Sequence, residues 1–192
     1  AAFALFNNLS GLEFASGIPG TLGGGVVMNA GAYGGELKDV IVSVDILDTD
    51  GSIKQILCEN MEFAYRHSIV ADKGYIVLGA KVKLQKGDPD EIKALMNELN
   101  QRRRDKQPLE YPSAGSTFKR PEGYFAGKLI EDCNLKGYKV GGAQVSEKHS
   151  GFVINCNNAT ARDVITLIED VRKKVKDTFS VELETEVKIL EP

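Results

Sequence analysis

The sequence predicts an α+β fold in two parts, because two kinds of apolar periodicity follow one another along the chain. Alternating apolar and polar residues, the pattern of half-buried strands, fill much of the first half. At Asp88 the period lengthens to that of a helix, and the remainder mixes short strand-like stretches with helical ones. We therefore expect a first domain at residues 1–87, a connecting helix at 88–108 and a second domain at 109–192.

Three strands are expected in the first domain. The strand at 39–47 places alternating apolar residues on one face, namely Val40, Val42, Val44 and Ile46. Asp50 and Gly51 form a turn pair suited to positive φ, so a strand at 53–57 is expected to return beside the first. The strand at 75–84 is expected to bury one face, made of Ile76, Leu78, Ala80, Val82 and Leu84.

The connecting helix has a recognisable start and an apolar face. Asp88 can cap it, Pro89 suits the first helical position, and Glu91 completes a start like a capping box. Apolar residues then recur at helical spacing, at Ile92, Leu95, Met96 and Leu99. We expect the helix to end before Pro108.

The second domain is expected to begin irregularly, because three prolines within residues 107–123 exclude a regular element there. A short helix at 125–134 and strands at 138–145 and 151–156 should follow. Thr160 is expected to cap a long helix with a buried stripe of Val164, Leu167, Ile168, Val171 and Val175. A last strand would bury Val181, Leu183, Thr185, Val187 and Ile189 and expose Glu182, Glu184, Glu186 and Lys188.

The composition favours a globular cytoplasmic protein. Of the 192 residues, 42% are hydrophobic and 27% are charged, which is ordinary. The net charge of −3 argues against broad electrostatic binding to nucleic acid. Three cysteines fit a reducing compartment, and no apolar run is long enough to span a membrane. The chain begins in apolar sequence without Met, so we expect it to be cut from a longer polypeptide.

Several common catalytic motifs are absent from the sequence. It contains no G-x-G-x-x-G, no Walker A sequence and no H-E-x-x-H. The two histidines, His67 and His149, have no Asp or Ser partner at motif spacing, which argues against a histidine-dependent triad. The cysteines form no recognisable metal site, and we expect no metal centre.

The segment at 17–36 is unusual, because it holds eight of the chain's 20 glycines. Its apolar residues argue against a flexible linker. Backbone N–H groups in glycine turns can approach phosphate oxygens, since no Cβ blocks them. A compact turn packed against the sheet is the alternative, and composition alone does not choose between them.

Five segments, in order, resemble the family of UDP-N-acetylenolpyruvoylglucosamine reductases. They lie at residues 11–36, 63–68, 111–121, 125–155 and 183–190, and so cover essentially the whole chain. A single glycine loop would match many families, whereas five ordered motifs are specific. The second domain lacks an inserted tyrosine-bearing loop, so the chain resembles the shorter of the family's two types.

The resemblance implies a flavoenzyme. It implies that residues 1–87 form the C-terminal half of a vanillyl-alcohol-oxidase-type FAD-binding domain, followed by a small α+β substrate-binding domain. In the family, NADPH reduces the flavin, and N5 then gives hydride to the enolpyruvyl group of UDP-N-acetylglucosamine enolpyruvate. The product is UDP-N-acetylmuramate, a peptidoglycan precursor.

The resemblance also assigns three catalytic residues. Ser116 would give the proton to substrate C2, where the bland alternative is a turn serine. Arg66 would bind the substrate carboxylate and stabilise the developing enolate, where the alternative is a solvated surface arginine. Glu186, if protonated, would hydrogen-bond the enolate or relay a proton. Only the resemblance selects Glu186 over Glu182 and Glu184.

Binding residues follow from the same resemblance. The expected flavin-lining residues are Gly17, Ile18, Pro19, Gly20, Thr21, Gly23, Gly24, Asn29, Ala30 and Gly31. Tyr65 would position substrate or flavin, unless it is an ordinary core tyrosine. Lys119 and Arg120 are candidates for the UDP diphosphate. Arg102 to Arg104 could act likewise, but they suit a solvated helix end.

Two other readings stay open. Without the family's N-terminal half, the chain could be a remnant that binds a UDP-sugar without flavin or catalysis. A flavin oxidoreductase with another substrate is also possible, because a fold does not fix a function. The Ser116 motif argues against that last alternative. For the reductase and for the remnant, the expected partner is a small UDP-sugar rather than nucleic acid or membrane, and the expected state is a monomer.

Overall fold

A computed structural model describes residues 1–190, which divide into two compact units. Unit 1 is Ala1–Arg103, and unit 2 begins at Arg104. Each unit combines helices with antiparallel sheet, so the predicted α+β fold is confirmed. None of the helices within residues 1–190 is both long and apolar enough to cross a membrane.

The elements of unit 1 are short apart from one sheet and one helix. Its helices are α1 (Ala2–Phe6), α2 (Leu22–Val27), α3 (Ile69–Lys73) and α4 (Pro89–Lys106), the last of which begins in this unit. Its strands are β1 (Leu9–Ser10), β2 (Gly31–Ala32), β3 (Gly35–Glu36), β4 (Ile41–Leu47), β5 (Ile53–Leu57), β6 (Ile76–Val82) and β7 (Gln85–Lys86).

The main sheet of unit 1 has the strand order β5-β4-β6 with both pairs antiparallel. All three strands were predicted, and their observed ends lie within two residues of the expected ones. Gly51 adopts φ +82° in the turn between β4 and β5, as the Asp-Gly pair predicts. The core of this unit is formed by residues that are almost completely buried, namely Val44 and Ile46 of β4, Val26 of α2, Met61 and Val70.

Two β-bulges make part of the predicted burial wrong. Ile41 pairs with Val82 and Ser43 with Lys81, so Val42 is an extra residue on β4, and a second irregularity makes Leu78 extra on β6. Each extra residue reverses the alternation beyond it. Val42, Ile76 and Leu78 are therefore exposed, at 38%, 60% and 52%, where the strict alternation predicted burial. Val77, predicted to face outward, packs instead against the core of unit 1.

Helix α4 begins at Pro89, as predicted. The Asp88 carboxylate accepts hydrogen bonds from the backbone N–H groups of Asp90 and Glu91 and so caps the helix. Ile92 and Leu99 are buried, but Leu95, expected on the same face, is exposed. A narrower apolar stripe than predicted is therefore sufficient to hold the helix.

Unit 2 is built on a four-stranded antiparallel sheet with two helices packed against it. The strand order is β8-β11-β10-β9. The strands are β8 (Ser113–Ser116), β9 (Lys139–Val140), β10 (Ala143–Val145) and β11 (Phe152–Asn155), and the helices are α5 (Ala126–Asp132) and α6 (Ala161–Phe179). Ile130, Leu167, Val171, Val175 and Leu183 are the most deeply buried apolar residues of its core.

Helix α6 is confirmed in detail. Thr160 Oγ1 accepts a hydrogen bond from the Asp163 N–H, and the Asp163 carboxylate accepts one from the Thr160 N–H. This reciprocal pair is a capping box, which satisfies two backbone donors that the helix start leaves open. Leu167, Ile168 and Val171 of the predicted stripe are buried.

Three strand predictions in unit 2 are wrong. The expected strand at 138–145 is two strands, β9 and β10, joined through Gly141 at φ +54°. The stretch at 107–123, expected to lack regular structure, contains β8. The expected last strand at 181–189 is reduced to one bridge, between Phe118 and Thr185. A regular strand needs a partner along its length, and this segment has one for about three residues.

The bulge in β6 can be tested with two neighbouring substitutions. Val77→Ala removes methyl groups from the core and should lower the free energy of unfolding by about 1–2 kcal/mol. Leu78→Ala removes more carbon, yet it should change that energy by less than about 0.5 kcal/mol, because the side chain is exposed. Urea unfolding followed by circular dichroism measures both. A larger loss for Leu78→Ala would contradict the bulge.

Candidate active site

The glycine-rich segment performs two different tasks in unit 1. Gly25, Gly31 and Gly35 permit close packing: a Cβ added to Gly35, for example, would lie 2.7 Å from the Phe14 ring. Around Gly20 the backbone is instead open, since Gly20 has φ +123° and a Cβ there would meet no atom within 4 Å. The alternative of a compact, packed turn therefore holds for Gly25, Gly31 and Gly35, while the backbone at Gly20 is left open.

Thr21 lies between these two parts of the segment. Its Oγ1 accepts a hydrogen bond of 3.1 Å from the Gly24 N–H and caps α2, the six-residue helix at Leu22–Val27. Gly23 faces β6, where an added Cβ would make an ordinary contact of 3.7 Å with Val77 Cβ. Among the candidate flavin-lining residues, only the backbone around Gly20 is therefore open, whereas Gly17 packs against α4, where an added Cβ would lie 2.6 Å from Asn100 Oδ1. Gly23 and Gly24 belong to α2.

Asn29 is the central polar contact of unit 1. The side chain is 2% exposed, and the backbone adopts φ +42°. Its Nδ2 donates to Glu36 Oε2 at 2.8 Å and to the Ala64 carbonyl at 3.2 Å, while Oδ1 accepts from the Lys38 N–H at 3.0 Å. One amide therefore joins the glycine-rich segment to two other stretches of chain.

Arg66 lies at the tip of a tight turn that Asn29 helps to hold. Ala64 and His67 exchange two backbone hydrogen bonds of 3.2 Å, which leaves Tyr65 and Arg66 as the two tip residues. Arg66 adopts φ +56°, and its guanidinium carbon lies 5.0 Å from the centre of the Tyr65 ring. Tyr65 is half exposed, so the alternative of a core tyrosine is wrong.

A second hydrogen bond ties this turn to the glycine-rich segment, because the hydroxyl of Ser68 donates to the Val27 carbonyl at 2.8 Å. Acidic and basic side chains both lie near this turn. The hydrogen bond from Lys38 lowers the pKa of the Glu36 carboxyl, and Asn29 and the charge of Arg66 lower it further. Unit 1 thus places the Arg66 turn directly beside the glycine-rich segment, which holds all the flavin-lining candidates.

Glu62, His67 and Asp72 form a cluster that the sequence reasoning missed. Each offers a ligand atom, and these atoms lie within 4.8 Å of one another. Two of the three side chains are exposed carboxylates, which water hydrates without a metal. The cluster could hold a divalent cation, but it does not by itself establish a metal site.

Unit 2 brings Ser116 and Glu186 to neighbouring positions. Phe118 lies opposite Thr185, so Thr117 lies opposite Glu186, and the Glu186 N–H donates to the Thr117 carbonyl at 2.8 Å. Thr117 is buried, and its N–H donates to the Gly151 carbonyl at 2.8 Å while its hydroxyl oxygen accepts from the Val153 N–H. Thr117, which the sequence reasoning did not select, therefore holds both candidates in register.

The structure distinguishes Glu186 from the other two glutamates of its segment. Glu182 is exposed and pairs with Lys176, and Glu184 is exposed and pairs with Lys119. Glu186 is half-buried beside Thr117. The alternative, in which all three glutamates are equally solvated, is therefore wrong.

Lys119 and Arg120, the candidates for binding the UDP diphosphate, each contact another side chain of unit 2. Lys119 Nζ lies 2.9 Å from Glu184 Oε2, and that hydrogen bond lowers the pKa of Glu184. The guanidinium carbon of Arg120 lies 4.1 Å from the centre of the Phe125 ring. The side chain of Ser116 is lightly held by comparison, since Oγ donates to the Phe118 carbonyl at 3.3 Å, which is long for an O–H donor.

Removing the Asn29 amide should destabilise unit 1. Asn29→Ala leaves the Lys38 N–H, the Ala64 carbonyl and the Glu36 carboxylate without this partner and puts alanine at positive φ, so the free energy of unfolding should fall by about 2–4 kcal/mol. Asn97→Ala, on the exposed face of α4, is the matched control and should change it by less than about 0.5 kcal/mol. Equal effects in urea unfolding would contradict the role of Asn29.

Two family models match the chain. Residues 107–190 match the C-terminal domain of UDP-N-acetylenolpyruvoylglucosamine reductase, and residues 1–56 match an FAD binding domain. The chain is 60% identical to the reductase of Caldanaerobacter subterraneus subsp. tengcongensis and 61% identical to that of Agathobacter rectalis. Each alignment covers 99% of this chain but only 63% and 60% of those relatives, so the chain spans about three fifths of their length.

A solved structure agrees with these matches. The crystal structure of UDP-N-acetylenolpyruvylglucosamine reductase from Thermus caldophilus superposes with a TM-score of 0.83 at 37% identity. The superposition covers 96% of this chain and 66% of that one. The fold, the two family models and the high identity along nearly the whole chain agree, and the chain therefore belongs to the UDP-N-acetylenolpyruvoylglucosamine reductase family.

Proposed function

We propose that the chain works in an FAD-containing enzyme that uses NADPH to reduce UDP-N-acetylglucosamine enolpyruvate to UDP-N-acetylmuramate. The observation that carries the proposal is the 60% identity, across 99% of the chain, to a protein named as this reductase. Unit 1 would act as the second half of the flavin domain and unit 2 as the substrate-binding domain. The partner would be a small UDP-sugar, and the setting the synthesis of peptidoglycan precursor in the cytoplasm.

The open backbone at Gly20 fits a cofactor that is approached by backbone. A Cβ on Gly20 would occupy the free space there, so glycine keeps the backbone accessible. Ile18, Pro19 and the other candidates in 17–24 would line the flavin by position. Asn29 would contribute through Ala30 and Gly31, because its own amide is buried. When bound, the reduced flavin supplies the hydride.

Ser116 is the proposed proton donor to substrate C2. Hydride addition at C3 leaves negative charge on C2 and the carboxylate, and such a carbanion is basic enough to take a proton from a serine hydroxyl. The long hydrogen bond from Ser116 Oγ to the Phe118 carbonyl, 3.3 Å, can be exchanged at small cost. Backbone pairing on both sides of Thr117 keeps the hydroxyl in place.

Arg66 and Glu186 are proposed to stabilise charge. The guanidinium of Arg66 can bind a carboxylate through two parallel N–H bonds, and the Tyr65 ring beneath it limits its freedom. Glu186, half-buried beside Thr117, would hydrogen-bond the enolate or relay a proton. Lys119 and Arg120 are proposed to meet the diphosphate, for which Lys119 would have to leave Glu184.

Replacing Ser116 separates the two half-reactions. Ser116→Ala should lower kcat about 100-fold or more, because the proton donor to C2 is lost, while reduction of bound flavin by NADPH stays near the wild-type rate. Ser113→Ala, in the same strand, is the control. Stopped-flow absorbance of the flavin measures reduction by NADPH and reoxidation by the enolpyruvyl substrate separately.

Two outcomes would reject parts of the proposal. Full reoxidation by substrate in Ser116→Ala would remove Ser116 as the proton donor. A colourless protein that takes up no FAD but binds UDP-sugar in calorimetry would replace the reductase by the alternative of a sugar-binding remnant.

A further inference from the structure

His149 lies in the turn between β10 and β11, next to the strand end that carries Ser116. The hydroxyl oxygen of Ser146 accepts hydrogen bonds of 3.2 Å from the N–H groups of both Lys148 and His149, which closes the turn. The imidazole is half-buried and meets the Phe152 ring edge to face, with centroids 4.9 Å apart. None of the steps described above uses this side chain.

One hydrogen bond fixes the protonation pattern of the ring. The Gly151 N–H donates to His149 Nδ1 at 3.1 Å, so Nδ1 must be unprotonated and the proton of the neutral ring is on Nε2. The other side of the same residue, the Gly151 carbonyl, accepts from the N–H of Thr117 at 2.8 Å. The imidazole therefore holds the N–H of Gly151, and the carbonyl of the same residue holds Thr117, which directly follows Ser116.

Gly151 also separates the imidazole from the serine hydroxyl. A Cβ added to Gly151 would lie 3.0 Å from His149 Cε1 and 3.7 Å from Ser116 Oγ. A side chain at this position would crowd the ring, which would have to shift by a few tenths of an ångström. The imidazole and the serine hydroxyl thus both lie close to Gly151.

We propose that His149 is a positioning residue for Ser116: its neutral imidazole holds the Gly151 peptide, and through it the backbone pairing that aims the serine hydroxyl. The inference rests on the proposed role of Ser116. Protonation of Nδ1 turns the acceptor into a donor that faces the Gly151 N–H, so the hydrogen bond is lost in acid. Ser116 is then no longer held, and protonation of the substrate slows.

The surroundings of the ring favour its neutral form. Burial lowers the pKa of His149, and the charges of Lys136 and Lys106 lower it further. Lys136 is itself paired with Glu131 of α5, and Lys128 of that helix is paired with Asp132. On the turn itself, Lys148 Nζ lies 3.6 Å from the Glu110 carboxylate. The Glu147 carboxylate lies beside Gly137, since a Cβ added there would be 3.0 Å from Glu147 Oε1.

The sign of the pH effect follows from the lowered pKa. The unfolded chain takes up the proton at higher pH than the folded one, so the contribution of this hydrogen bond is present above the ordinary histidine pKa. It is lost as the pH falls below that value towards the folded pKa. The value of kcat depends on the folded ring, whose pKa is lowered, so we expect kcat to fall only at pH below the ordinary histidine pKa, with little change in KM.

Two substitutions separate this role from simple filling of space. His149→Asn keeps an acceptor, because an Asn Oδ1 bonds the N–H two residues on in an Asx-turn, but it does not titrate. His149→Ala removes the acceptor. We expect kcat to fall about tenfold in His149→Ala and to recover most of that loss in His149→Asn. The part of the acid limb that belongs to His149 should vanish in the Asn variant.

The inference is overturned if the Asn variant is as slow as the Ala variant, or if it keeps the wild-type acid limb unchanged. The backbone amide of Gly151, followed by NMR in the whole ¹⁵N-labelled chain, gives a readout that needs no turnover. Its chemical shift should titrate with His149 in the wild type and stay flat in His149→Asn, and a flat wild-type curve also overturns the inference. A protein with no reductase activity but a titrating Gly151 amide would instead reject the proposed function alone.

Discussion

The buried amide of Asn29 is the interaction on which the functional part of unit 1 depends. Three hydrogen bonds from one side chain connect the glycine-rich segment, the stretch at Glu36 and Lys38, and the turn that presents Arg66. None of these stretches is long enough to be stable on its own secondary structure. A buried amide with all its partners present rigidifies its surroundings, because each partner left alone would carry the full cost of lost hydration.

In unit 2, backbone hydrogen bonds hold the candidate residues in place. Ser116 and Glu186 lie on short segments, and the residue that fixes both is Thr117, whose N–H, carbonyl and hydroxyl bond to three different neighbours. The Gly151 peptide bonds Thr117 on one side and His149 on the other. The candidate chemistry of both units is therefore presented by irregular backbone whose polar groups are satisfied by buried neighbours.

The sequence predicted the longer elements well and the faces of some strands poorly. Helix α6 carries its cap and its apolar stripe within twenty residues, so local pattern was sufficient. The bulges at Val42 and Leu78 depend on how β4 and β6 pair, and nothing in either strand alone marks them. The segment at 181–189 has a perfect strand pattern, yet it finds a partner only at Phe118 and its neighbours. For the site, the motifs supplied Ser116, Arg66 and Glu186 as candidates and gave Asn29 only as flavin-lining, but they did not indicate Thr117 or His149.

The sequence by itself determined the α+β class, the two-part order of elements and the family, because these reside in local periodicity and in motifs that are read along the chain. Only the tertiary structure decided which glycines pack and which stay open, and that Glu186 rather than Glu182 or Glu184 lies half-buried beside Thr117. Those choices depend on contacts between residues as distant in sequence as Thr117 and Glu186. Such contacts form only when apolar burial brings the segments together and their polar groups must then be satisfied.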